Sequence, residues 1–116
     1  MTAAGATHVC LRKVEAAAVF NATARYRVTH MCGAPIVLNM LINAPAADRR
    51  AFDHRVVVGT GGAAPPSAVL DGMASLGFDV IHLYGLTEVY GPALVCAEQA
   101  AWASLTSTER ARQKAR

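Results

Sequence analysis

Residues 55–83 hold one unbroken alternation that leaves this chain few folds to choose from. Arg55-Val56-Val57-Val58 is a short β-branched run. A turn follows it, Gly59-Thr60-Gly61-Gly62-Ala63-Ala64-Pro65-Pro66. Residues 67–76 then space Val69, Leu70, Met73 and Leu76 on one helical face. Gly77 ends that helix, and Phe78-Asp79-Val80-Ile81-His82-Leu83 starts a second strand. Strand, glycine-rich turn, helix and strand in about thirty residues form a βαβ unit, whose strands lie parallel. Proline before the helix fits, because a first-turn N–H has no intrahelical partner to lose.

The same alternation extends upstream. Residues 7–11 read as a short strand, and residues 13–26 as an alanine-rich helix with Val14, Ala17, Ala18 and Phe20 at helical spacing. Residues 28–32 read as a strand. Gly33-Ala34-Pro35 turns into a helix over 36–43 that is apolar nearly all round, which predicts burial. Downstream, Ala93-Leu94-Val95-Cys96 reads as a strand, and Thr106-Ser107-Thr108-Glu109 fits a capping box ahead of a short basic helix. The expectation is an α/β fold, a mainly parallel sheet flanked by helices in three layers. The turn at 62–66 and the segment 84–88 would share the carboxyl edge of the sheet, where open α/β sheets bind ligands.

That second segment is Tyr84-Gly85-Leu86-Thr87-Glu88. It offers an aromatic plate, a flexible glycine, a hydroxyl and a carboxylate. The ring suits a base, the glycine lets backbone approach it, the hydroxyl suits a phosphate, and the carboxylate suits Mg²⁺ with its preference for oxygen. One competing motif is present. Gly59-x-Gly61-x-x-Ala64 fits a dinucleotide fingerprint, and Asp79 lies twenty residues on. In that fingerprint, however, the acid stands at the carboxyl end of the second strand. Asp79 begins its strand, and Pro65 and Pro66 remove two N–H donors.

Three segments together resemble adenylate-forming ligases, the AMP-binding superfamily that includes acyl-CoA synthetases. They are Thr60-Gly61-Gly62-Ala63-Ala64-Pro65-Pro66, the stretch from His82 to Pro92, and the upstream Val28-Thr29-His30-Met31-Cys32-Gly33-Ala34-Pro35-Ile36-Val37-Leu38. The resemblance runs through nearly the whole chain, and its flavour is nearest to fatty-acyl-CoA synthetases of medium- or long-chain acids. It implies that residues 1–116 are part of an AMP-binding domain, with no complete second domain. It implies ATP or AMP, Mg²⁺ and coenzyme A as cofactors, and a carboxylic acid activated through an acyl-adenylate to its CoA thioester. By resemblance, Ala63, Ala64 and Pro65 line the adenine and the acyl entrance. Tyr84 stacks on adenine beside Leu83, Gly85 and Leu86. Thr87 bonds the α-phosphate, and Glu88 ligates Mg²⁺; these two would act in catalysis. The family's Ser/Thr/Gly-rich loop ending in Pro-Lys-Gly, its Thr-Gly-Asp motif and its C-terminal lysine domain are not found in these 116 residues. The expectation is therefore a central slice, inactive alone. The alternatives are a non-catalytic fold fragment or weak nucleotide-binding module, and a dinucleotide-binding domain.

Composition narrows the partners. The chain is 53% hydrophobic and 16% charged, which suits helices on a parallel sheet, or a unit with exposed apolar faces open to self-association. Net charge is +3, with Arg110, Arg112, Lys114 and Arg116 together at the end, a pattern that suits a helix C-terminus. No basic face interleaved with aromatics points to nucleic acid. No transmembrane span or signal peptide is visible. Cys10, Cys32 and Cys96 form no Cys-x-x-Cys pair and lie in apolar text, which predicts buried free thiols in a reducing, cytoplasmic setting. His82, a lone histidine in a strand, reads as structural.

Overall fold

A computed structural model describes residues 2–115. Met1, and Arg116, read above as part of the basic end, lie outside the described residues.

The elements are α1 (Ala16–Tyr26), β1 (His30–Cys32), α2 (Pro35–Ile42), β2 (Val56–Gly61), α3 (Ser67–Ser75), β3 (Phe78–Leu86), β4 (Gly91–Val95) and α4 (Ser107–Lys114). The strands lie in the order β1-β2-β3-β4. β1 pairs with β2 in parallel, and β2 pairs with β3 in parallel, with Val58 opposite Val80 and Gly61 opposite Leu83. β4 returns antiparallel to β3. The α/β expectation therefore holds, as a mainly parallel sheet with one antiparallel edge.

The core forms on one face. Alternate strand residues point to opposite sides, and Val56, Val58, Phe78 and Val80 all join one buried cluster. Val19 and Phe20 of α1, Leu38 and Leu41 of α2, Val69, Leu70 and Met73 of α3, and Ala111 of α4 complete it. Phe78 is its hub, with ring centroids 5.9 Å from Phe20 and 5.1 Å from Phe52. Val57, Ile81 and Leu83, on the other face, are only half-buried and outside the cluster. The expected third layer is thus absent among the described residues: two layers are present.

Local chemistry explains most of the boundaries. α2 starts at Pro35, and Pro66 immediately precedes α3 with an extended ψ of 151°. Gly77 has a φ of +90°, and a Cβ there would lie 2.9 Å from the Phe52 ring, so only glycine turns the chain this tightly from α3 into β3. The capping box is complete: Thr106 accepts from the Glu109 N–H, and the Glu109 carboxylate accepts from the Thr106 N–H.

Several expectations are corrected. Residues 7–11 form no strand and lie exposed. α1 begins at Ala16, not Lys13, because Glu15 is extended and its side chain pairs with Lys13 at 2.5 Å. α2 buries Leu38 and Leu41, but Ile36 is 77% exposed, since nothing described covers that side. Cys10 and Cys32 are exposed and Cys96 is half-buried. Cys32 stands on an edge strand, on the face away from the helices, with its Sγ beside Gly59.

Candidate functional site

β2 and β3 are parallel neighbours, so their carboxyl ends open on the same edge of the sheet. The turn after β2 and the end of β3 meet there, as the sequence predicts. They form a groove of about 750 Å³ lined on one side by Gly61 and Gly62 and on the other by Leu83, Gly85, Leu86, Thr87 and Glu88. Gly62 has a φ of +94° and no heavy atom within 4 Å of where a Cβ would stand, so the backbone is bare at the groove wall.

Not every residue expected at the site reaches it. Ala63 and Ala64 are exposed but lie beyond the groove, and the Pro65 side chain is buried. Tyr84 is 51% exposed and also outside the lining. Sequence reasoning missed Tyr90, Gly91 and Pro92, which close the groove from the β4 side. Their signal is the Tyr90-Gly91-Pro92 text itself: Tyr90 and Gly91 both take positive φ, 63° and 122°, and so reverse the chain.

Two structural facts revise the expected chemistry. Tyr84 to Leu86 are not loop but the last residues of β3, paired with Leu94, Pro92 and Gly91 across a bulge at Tyr84/Gly85. Gly85 is therefore required by the fold. A Cβ on it would strike the Gly91 carbonyl and stand 2.9 Å from Pro92 Cα. Ligand approach is not the reason a glycine is needed.

Beyond the strand end, Thr87 and Glu88 sit exposed in a short 3₁₀ turn closed by the Tyr90 N–H onto the Thr87 carbonyl at 3.2 Å. Glu88 has no hydrogen-bond or ion-pair partner among the described residues. Mg²⁺ is held by one or two carboxylates, with phosphate oxygens and water completing its shell. One free carboxylate at the groove rim fits that pattern as a single ligand. No group of three or more His, Cys, Asp or Glu placed to hold a metal occurs among the described residues.

Below the groove, Thr60 and His82 face each other in register on the helix side. Thr60 is 1% exposed, and neither Thr60 Oγ1 nor His82 Nε2 has a protein partner. At the other edge of the sheet, Asp79 receives Lys114 and Arg55 and does not face the glycine turn.

A parallel βαβ unit with a bare glycine turn, a carboxylate and a hydroxyl on one carboxyl edge is the arrangement at which open α/β sheets bind ligands. The model of the AMP-binding enzyme family matches residues 1–114, and the chain belongs to that family. It is 48% identical over its whole length to the acetate–CoA ligase CCL3 of Humulus lupulus, of which it spans 21%. It is 50% identical over its whole length to the 2-methylpropanoate–CoA ligase CCL4 of the same plant, of which it spans 20%. The chain thus covers about a fifth of the length of these relatives. Among solved structures, the N-terminal domain of FACL13 from Mycobacterium tuberculosis superposes with a TM-score of 0.70 at 25% identity, over 90% of this chain and 24% of that one. No helix among the described residues is long and apolar enough to cross a membrane.

Proposed function

We propose that this chain forms one wall of the nucleotide crevice of an ATP-dependent carboxylic acid–CoA ligase. The observation that carries the proposal is the groove in which Gly61 and Gly62 face Thr87 and Glu88. In the reaction, a carboxylate oxygen attacks the α-phosphorus of ATP and pyrophosphate leaves, giving an acyl-adenylate. The CoA thiolate then attacks the acyl carbon and AMP leaves. Thr87 is assigned a hydrogen bond to the α-phosphate, and Glu88 one ligand position on Mg²⁺, whose charge offsets that of the phosphates. The exposed ring of Tyr84 is assigned to adenine, with Leu83, Gly85 and Leu86 supplying backbone and apolar edge. Ala63, Ala64 and Pro65 serve as the outer rim and its support, since they lie beyond the groove itself.

The acid is proposed at the level of a small carboxylic acid, in keeping with relatives named for acetate and 2-methylpropanoate. The medium- or long-chain acid expected from the text has no support in those names. A cytoplasmic setting is proposed from the three free thiols, which suit a reducing compartment.

As a separate polypeptide these 116 residues are expected to bind but not turn over. Each lost transition-state donor costs roughly 10²–10³ in rate, and the motifs absent from these residues include the phosphate loop. Stacking alone supplies on the order of 1–3 kcal/mol, so AMP affinity should be no better than about 1 mM. A nucleotide titration followed by NMR tests this. Shifts centred on Tyr84, Gly85 and Thr87, lost in Tyr84→Ala, are the expected result. Their absence at saturating nucleotide would leave a fold fragment without a site. Pyrophosphate release above that of a Glu88→Ala control, with a panel of short and long acids, would overturn the inactive reading. Self-association is proposed for the isolated chain, because Leu86, Tyr90, Leu94 and Val95 are exposed on the β3–β4 hairpin; light scattering over a concentration series checks it.

A further inference from the structure

At the edge opposite the groove, α4 is attached to the domain in an unusual way. Of its eight residues only Ala111 is buried, at 4% exposure, whereas α3 buries Val69, Leu70 and Met73. Beside it runs an open cleft of about 230 Å³ bordered by Leu70, Phe78, Val80, Arg110, Ala111 and Lys114. The helix is held instead around its rim by polar bonds.

Three carboxylates supply those bonds, from α3, from β3 and from the loop after β4. Asp71 of α3 accepts from Ser107 Oγ at 2.9 Å and from Thr108 Oγ1 at 3.3 Å. Asp79 of β3 accepts from Lys114 Nζ at 2.9 Å and also binds Arg55. Glu98, in the segment before α4, lies 3.2 Å from Lys114 Nζ and 3.5 Å from Arg110 Nη1. Lys114 is the centre of this cluster: its side chain is 9% exposed, it touches two carboxylates, and it also donates to the Val80 carbonyl at 3.3 Å. A helix with a small apolar seam and its attachment in charge pairs opens before the core does.

We infer that α4 is a charge-latched flap, fastened through Lys114 to Asp79 and Glu98, which swings off the sheet as a unit and uncovers the apolar floor of Leu70, Phe78 and Val80. The device is a conformational one, and it is independent of the nucleotide groove, which lies at the other end of the same strands. Loss of the Lys114 charge is its natural release, whereas added salt reaches it poorly, because a pair this buried is screened much less than an exposed one.

Amide hydrogen exchange on the full chain reads this directly. Lys114→Met keeps the side-chain stem and removes the charge. The amides of Arg110 and Ala115, bonded to the Thr106 and Ala111 carbonyls, should exchange roughly 10-fold faster in Lys114→Met than in the parent, while Val58 and Val80 change little. Lys114→Arg, which keeps the charge, should restore most of the protection. Unchanged α4 protection in Lys114→Met would overturn the inference. Loss of protection at Val58 in Lys114→Met would also overturn it, since α4 would then be part of the core unit.

Discussion

The two ends of the β2–β3 ladder are built from neighbouring residues of the same strands and behave as opposites. At the amino end, every charged group that the strands present is engaged. Arg55 meets Asp79, Asp79 meets Lys114, and Lys114 is 9% exposed. At the carboxyl end, Thr87 and Glu88 are exposed, and Glu88 has no partner among the described residues. Engaged polar groups contribute to folding, and a free carboxylate at a groove contributes little to it. In a parallel unit of this kind, the end that leaves its polar groups unpaired is the end available to a ligand.

The sharpest way to break this comparison is to remove what both ends share. Phe78→Ala deletes the hub of the core at the start of β3, and should cost about 3–5 kcal/mol. Urea unfolding with a lowered midpoint and unchanged slope is the check. A loss below about 1 kcal/mol would show that the cluster around Phe78 does not hold the ladder together.

A smaller effect is expected at the carboxyl end from Gly85→Ala. The added methyl collides with the Gly91 carbonyl, and the strand must shift at a cost of about 1–3 kcal/mol. Exchange protection should fall in β4 and at Leu86 while Val56 and Val58 keep theirs. If the glycine served only ligand approach, stability would not change.

The amino end should respond to acid. Burial pushes the Asp79 carboxyl up, but the hydrogen bonds and charges of Lys114 and Arg55 outweigh it, and its pKa lies below the ordinary carboxylate value. A depressed folded pKa gives stability that is present above the unfolded value, near 3.9, and that is lost as pH falls through the folded one. Denaturant midpoints measured from pH 5 down to pH 2 should therefore fall more steeply in the parent than in Asp79→Asn. Parallel pH profiles would show that the pair carries no linkage.

The smallest stability effect belongs to the free carboxylate. Glu88→Gln should leave the midpoint within about 0.5 kcal/mol, as surface changes do, and should remove the Mg²⁺-dependent part of any nucleotide shift. A larger stability loss would mean that Glu88 has a structural partner after all.

Much of this was legible in the text. The Val56–Val58 run, Gly77 and the 3.6-residue spacing of Val69, Leu70 and Met73 are local signals that mark their elements, although β2 runs three residues past Val58, through Gly59-Thr60-Gly61, which reads as turn in the text and pairs with β3 in the sheet. Thr106 and Glu109 signal a helix start through bonds they make to each other, so no tertiary knowledge is needed. The groove is legible at one remove, because parallel pairing puts the ends of β2 and β3 side by side. Other features were hidden for the same kind of reason. Residues 7–11 have strand composition but form no strand. Cys32 and Ile36 are apolar in text, yet nothing described covers their faces. The role of Gly85 depends on the return path of β4, six residues later in sequence and in direct contact in space.

Local periodicity and turn chemistry set the order of elements from α1 onward, the parallel direction of β2 and β3, and the shared edge of the glycine turn and Tyr84–Glu88. These follow from backbone geometry and from the side-chain spacing of each segment. Long-range packing set the rest: the helices gather on one face, Gly85 makes room for a carbonyl, Pro65 is buried while Glu88 is exposed, and Lys114 pairs α4 with Asp79. Each of those depends on which surfaces meet across distant parts of the chain, and side-chain burial and pairing are properties of the meeting, not of either segment alone.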